Sequence, residues 1–155
     1  MKRIAAIAAT ALTTVTLLSG TGMHPAQAMS APTWNKNVHC KATDPDGRHI
    51  VTRWGNPHLG WNHFTYRHNI RVCKILTGAI HGNVDRNDHQ GRLEYDGVAI
   101  KTGGSPKQVR FTVIVQYARY TKDKKYDAGK GQKIGVVNAF CRNQPDNKCP
   151  AWMNQ

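Results

Sequence analysis

Four cysteines, Cys40, Cys73, Cys141 and Cys149, restrict the folds open to this 155-residue chain more than any other feature. In an exported chain of one-domain size, an even cysteine count reads as two disulfides, each worth roughly 2 to 4 kcal/mol through restriction of the unfolded state. Three pairings are possible. Residues 142–148 form a polar, proline-containing loop between the last two cysteines. The favoured pairing therefore closes that loop and joins Cys40 to Cys73, fastening the first mature segment to a histidine-rich one. Zinc ligation is the rival reading, but no close Cys-x-x-Cys pair occurs and the histidines are not spaced around the cysteines as a closed site requires.

Export is indicated by the N-terminus. Lys2 and Arg3 give a charged start, residues 4–18 are rich in Ala, Thr, Leu and Val, and Ala26-Gln27-Ala28 has the small-x-small form that a signal peptidase cuts. Residues 1–28 are expected to be a signal peptide and residues 29–155 a single secreted domain; an uncleaved amphipathic anchor is the alternative. Nothing later approaches the length of apolar sequence that spans a bilayer, so no transmembrane segment is expected in the mature chain. Setting aside 28 of the 155 residues leaves 127, enough for one modest core. Without Lys2 and Arg3, 20 of the 22 basic residues remain against 9 acidic ones, a formal charge of +11. Such an excess exceeds what solubility needs and favours a polyanionic partner: nucleic acid, anionic lipid or acidic polymer.

Asp44-Pro45-Asp46-Gly47 is a turn signal linking two short segments, residues 39–42 and 49–54, and Gly55-Asn56-Pro57 breaks the chain again. From Gly60 the apolar period lengthens. Trp61, Phe64, His68, Val72, Ile75 and Ala79 follow at three- and four-residue spacing, which predicts one face of a helix that Gly78 could end. A short helix to about Asn69 followed by a strand over residues 70–76 fits equally well. Residues 81–91 read as a polar loop; its His81, Asp85, Asp88 and His89 are better explained by backbone turns than by a metal site. Strands are expected over residues 92–101, 109–120 and 133–141, the last two antiparallel and separated by a lysine-rich loop. The expected class is α+β: an N-terminal helical segment packed on a C-terminal antiparallel sheet, in a single disulfide-stabilised domain whose tail around Trp152 covers part of the core.

Residues 60–69 read Gly-Trp-Asn-His-Phe-Thr-Tyr-Arg-His-Asn and hold the densest group of proton-transfer and anion-binding side chains in the chain. Cleaving RNA without a metal needs a base for the 2′-hydroxyl, an acid for the departing 5′-oxygen and donors for the charge growing on phosphorus. Histidine suits the first two and arginine the third. On a helix His63 and Arg67 are four apart and share a face, whereas His68 points along the apolar stripe, where a hydrogen-bonded core histidine is an equally good reading. Tyr66, Tyr117 and Tyr120 could stack on bases, and Arg110, Lys124 and Lys125 could contact the phosphate backbone.

Gly60-Trp61-Asn62-His63 with Arg67-His68, ahead of a closing strand Gly135-Val136-Val137-Asn138-Ala139-Phe140, resembles the barnase/EndoU/colicin/RelE-type (BECR) group of RNase toxins. The resemblance covers residues 53–140. It implies a His-bearing helix before an antiparallel sheet of four or five strands, and RNA cleavage by 2′-hydroxyl transesterification to a 2′,3′-cyclic phosphate without cofactor. It also implies base and acid roles for His63 and His68, a phosphate contact for Arg67, and a role for Asn138 at a position the family usually fills with Thr or Ser. Asn138 and Phe140 depart from the family's Thr and Tyr. The alternative is therefore a secreted cationic protein that binds nucleic acid or another anionic polymer without cutting it. RNA is the expected partner, joined by an immunity protein if a producing cell needs protection.

Overall fold

A computed structural model describes residues 32–155; the expected signal peptide and the chain start near Met29 lie outside the described residues. The turn at residues 44–47 forms as its sequence dictates, with Gly47 in the left-handed region (φ 77°) and its N–H donating to Asp44 O at 2.9 Å. It joins β1 (Asn35–Thr43) to β2 (His49–Gly55) as an antiparallel hairpin. The hairpin precedes both helices, so the expectation of a helix-first chain is corrected. Period-two burial in these short segments, with Ile50 and Thr52 inward, gives them a strand's geometry before any helical pattern begins.

The predicted long helix is two helices, α1 (Trp61–His68) and α2 (Cys73–Ile80), and the alternative strand over residues 70–76 does not form. The break is made at Asn69, which takes the left-handed conformation (φ 56°, ψ 39°) that asparagine tolerates at a helix C-terminus. The carbonyls freed there are taken up by the tail: Cys149 N–H donates to His68 O at 2.8 Å, and Asn154 Nδ2 to Asn69 O at 2.9 Å. The Asn69 amide in turn donates to Cys149 O at 2.9 Å. The apolar stripe nevertheless stays inward across the break, since Trp61, Phe64, His68, Ile75 and Ala79 are all buried.

β3 (Arg86–Asn87), β4 (Arg92–Lys101), β5 (Lys107–Gln116) and β6 (Gly135–Cys141) form one antiparallel sheet in that order. Two details differ from expectation. The polar loop over residues 81–91 contributes the short edge strand β3, because Arg86 pairs with Glu94 both in register and by side chain. The strand predicted over 109–120 ends at Gln116, where residues 117–134 leave the sheet as a long loop. Along β5, Val109, Phe111, Val113 and Val115 face the core, which also holds Phe64, Ile70, Leu76, Ile80 and Tyr95. Arg110, Thr112, Ile114 and Gln116 take the opposite face by strand alternation.

Both favoured disulfides are present, Cys40–Cys73 and Cys141–Cys149. The first ties β1 to the start of α2. The second closes a loop of eight positions between the end of β6 and the tail. Arg53, 6 % exposed, donates to the carbonyls of Lys36 and Lys133 and to Gln132 Oε1, joining the hairpin to the segment that enters β6. Trp152 and Met153 pack on the main core, as expected of the tail. No helix among the described residues is long and apolar enough to cross a membrane.

Candidate functional site

Helix α1 lies against β6 and β2, and the chain enters it through a tight turn. Gly60 has a positive φ of 78°, and its N–H donates to Val137 O at 3.0 Å, fixing the start of the helix to the last strand. From this anchored start the polar face of α1 presents His63, one turn from Arg67.

His63 is oriented by the backbone before it. Its Nδ1 lies 2.7 Å from Pro57 O, and because a carbonyl only accepts, Nδ1 carries the proton. The Nε2 of the neutral ring is then left as a lone-pair acceptor. Five helical positions place His68 about 140° round the axis from His63, so the sequence separates the two. The structure brings their rings together edge to face, with centroids 5.6 Å apart and planes at 82°. The Phe140 ring lies 5.9 Å from His68.

His68 is 6 % exposed, and its Nδ1 is buried without a hydrogen-bond partner. Burial, the His63 imidazole and the Arg67 charge hold its pKa below the ordinary histidine value. The backbone of Asp146 and Asn147 opposes this shift, without giving Nδ1 a bond of normal geometry. An imidazole kept neutral is available to accept a proton.

Beside His68 lies a recess of about 530 Å³ lined by Tyr66, Arg67, His68, Asp146, Asn147 and Lys148; His63 is not among its walls. Tyr66 is 82 % exposed at its edge. Half of this wall, residues 146–148, comes from the loop closed by Cys141–Cys149. Lys148 and the 146–147 backbone carried no catalytic signal in the sequence; the spacing of the last two cysteines was the one hint that the loop returns to a fixed place.

The remaining expected site residues are distributed more widely. Asn138 shares a strand face with Phe140, opposite Ile114, and its Oδ1 accepts from Ala139 N–H at 2.9 Å. Arg110 is exposed on the outer sheet face and lines a small cavity with Asp96 and Arg142, apart from the histidine pair. Half-buried Tyr117 packs on the core beneath Lys133, whose Nζ is 5.1 Å from its ring centre. Lys124 and Lys125 sit in the 117–134 loop, the latter 3.6 Å from Asp123. Tyr120 stacks under Arg119.

His39, Cys40 and Cys73 offer ligand atoms close together, but both sulfurs are consumed in a disulfide and cannot act as thiolates. His39 instead lies between the indoles of Trp54 and Trp61, at 4.0 and 4.1 Å between ring centres. No family model matches this chain, and no curated protein or solved structure in the comparisons does either.

Proposed function

We propose that this protein is an exported, metal-independent endoribonuclease of toxin type that cleaves RNA by 2′-hydroxyl transesterification. The observation that carries the reading is the meeting of the His63 and His68 rings beside Arg67, with His63 held in one tautomer by Pro57 O. His68, kept neutral by burial, takes the 2′-hydroxyl proton as the 2′-oxygen attacks phosphorus. His63, whose Pro57 bond leaves Nε2 as the nitrogen free to take up a proton from solvent, delivers that proton to the 5′-oxygen as the P–O5′ bond breaks. Arg67 and Lys148 offset the charge on the non-bridging oxygens. The products are a 2′,3′-cyclic phosphate and a 5′-hydroxyl, with atoms and protons balanced. The disulfides and the signal-peptide-like N-terminus support action outside the producing cell, and a cell making such an enzyme would need an inhibitory partner.

A second reading, RNA or polyanion binding without cleavage, draws on Asn138 and Phe140. One has its amide oxygen engaged locally and the other has no hydroxyl to offer a phosphate. Incubation of labelled RNA with the protein in EDTA separates the two. Cyclic-phosphate product that falls by about 10² to 10⁴ in His63→Gln and in His68→Gln supports catalysis. Intact RNA after long incubation, with binding retained, establishes the second reading.

A further inference from the structure

Bordering the turn that holds His63 is a larger recess, about 750 Å³, whose lining includes His58, Arg92, Gln116, Lys122, Asp123, Lys125 and Tyr126. Resting on the ribonuclease reading, we propose that it is a nucleotide subsite, taking the base and phosphate of a nucleotide that flanks the scissile bond. Three observations point there.

The first is shared construction. His58 follows Pro57, the residue whose carbonyl orients His63, and Val137, which also lines the recess, accepts from Gly60 N–H and precedes Asn138. The recess and His63 thus share the chain turn over residues 57–60 and strand β6.

The second is the charge of the rim. Lys122 and Lys125 have side chains 72 % and 68 % exposed, and their carboxylate contacts, to Asp88 at 3.7 Å and Asp123 at 3.6 Å, are long. Exposed pairs of that length are weak, so both ammonium groups can turn to a phosphate at little cost. Arg92 differs, being matched by Glu94 at 2.7 Å, and serves as a fixed wall.

The third is the floor. Gln116 is 7 % exposed and its Nε2 makes only a long bond, 3.4 Å, to Gln90 O. Beside it Tyr126, 8 % exposed, is held by Leu59, Ala128 and Ile134 in a small second core. A buried amide and an aromatic ring beneath a lysine rim suit a base inside and its phosphate outside.

The test uses the whole protein and a fluorescent 2′-O-methyl RNA hexamer, which lacks the attacking hydroxyl and reports binding alone. Lys122→Ala/Lys125→Ala is compared with Lys101→Ala/Lys107→Ala, which removes equal charge from the end of the β4–β5 ladder opposite Arg92 and Gln116. The recess pair should weaken binding by at least ten-fold and flatten the log K against log salt slope by about 0.7, the contribution of one neutralised phosphate on a single strand. The control pair should change binding less than three-fold. In cleavage, the recess pair should raise KM for an oligonucleotide and leave a dinucleoside monophosphate, which has no flanking phosphate, unaffected. Equal effects of the two pairs would overturn the subsite and leave diffuse charge as the explanation. Histidine-dependent cleavage with wild-type hexamer binding in the recess pair would remove the subsite and retain the nuclease. Lysine-dependent binding by a protein that never cleaves RNA would do the reverse.

Discussion

Removing the two disulfides one at a time should affect stability and activity in opposite orders. Cys40–Cys73 spans 33 positions and Cys141–Cys149 spans 8. By loop-closure entropy the first stabilises by about 3.7 kcal/mol and the second by about 2.5 kcal/mol at 25 °C, a difference of roughly 1 kcal/mol. Alanine is the right replacement. Cys141 and Cys149 are 0 % and 3 % exposed, and a buried serine hydroxyl without a partner would add its own cost. Each double variant loses two sulfur atoms, so the packing loss largely cancels when the two are compared.

Urea unfolding followed by tryptophan fluorescence should then give Cys40→Ala/Cys73→Ala the lower midpoint. Activity should invert the order. The eight-position loop carries Asp146, Asn147 and Lys148 beside His68, and Cys149 N–H caps the His68 carbonyl, whereas Cys40–Cys73 borders no wall of that recess. On the proposed ribonuclease reading, Cys141→Ala/Cys149→Ala should lose more RNA cleavage per folded molecule. If the short-loop variant is the less stable of the two, the entropic ordering is wrong; if it cleaves RNA at the wild-type rate, the loop does not shape the site.

Asn69→Ala should destabilise by about 1 to 2 kcal/mol for the left-handed backbone alone, and by more once its bond to Cys149 O is lost. Asn69→Gly should recover the backbone part in the same urea titration. Asp44, 4 % exposed, is raised by burial but held below its usual value of 3.8 by hydrogen bonds from the Tyr95 hydroxyl and from Arg48. Its contribution is therefore complete above that ordinary value and is lost as pH falls through the lower folded value. Asp44→Asn should cost about 1.5 to 3 kcal/mol at neutral pH and flatten the decline in urea midpoint on acidification. A midpoint that still falls as steeply in the variant would place the acid sensitivity elsewhere.

Much of the fold can be read locally. The Asp-Pro-Asp-Gly turn, the alternation of Val109, Phe111, Val113 and Val115, and the apolar period from Trp61 to Ala79 each depend on residues near one another in the chain. The helix break at Asn69 was harder, because an amphipathic stripe runs across it without interruption. What rewards the left-handed turn is a set of partners, Cys149 and Asn154, some 80 residues away. The edge strand β3 was hidden for a similar reason, since two residues show no period until β4 lies beside them.

The candidate site divides along the same line. Sequence by itself placed two imidazoles and a guanidinium on one short segment, and the polar loop between the last two cysteines favoured one of three bridge pairings, which the structure adopts. Tertiary structure decided that the two rings meet, which nitrogen of His63 is protonated, and that the 146–148 loop walls His68. These depend on Pro57 O, Phe140 and the returning tail, whose contacts are set by how separate elements pack. Side-chain pattern reports which face of an element is buried, but the identity of the groups across that face is fixed only when the chain closes on itself.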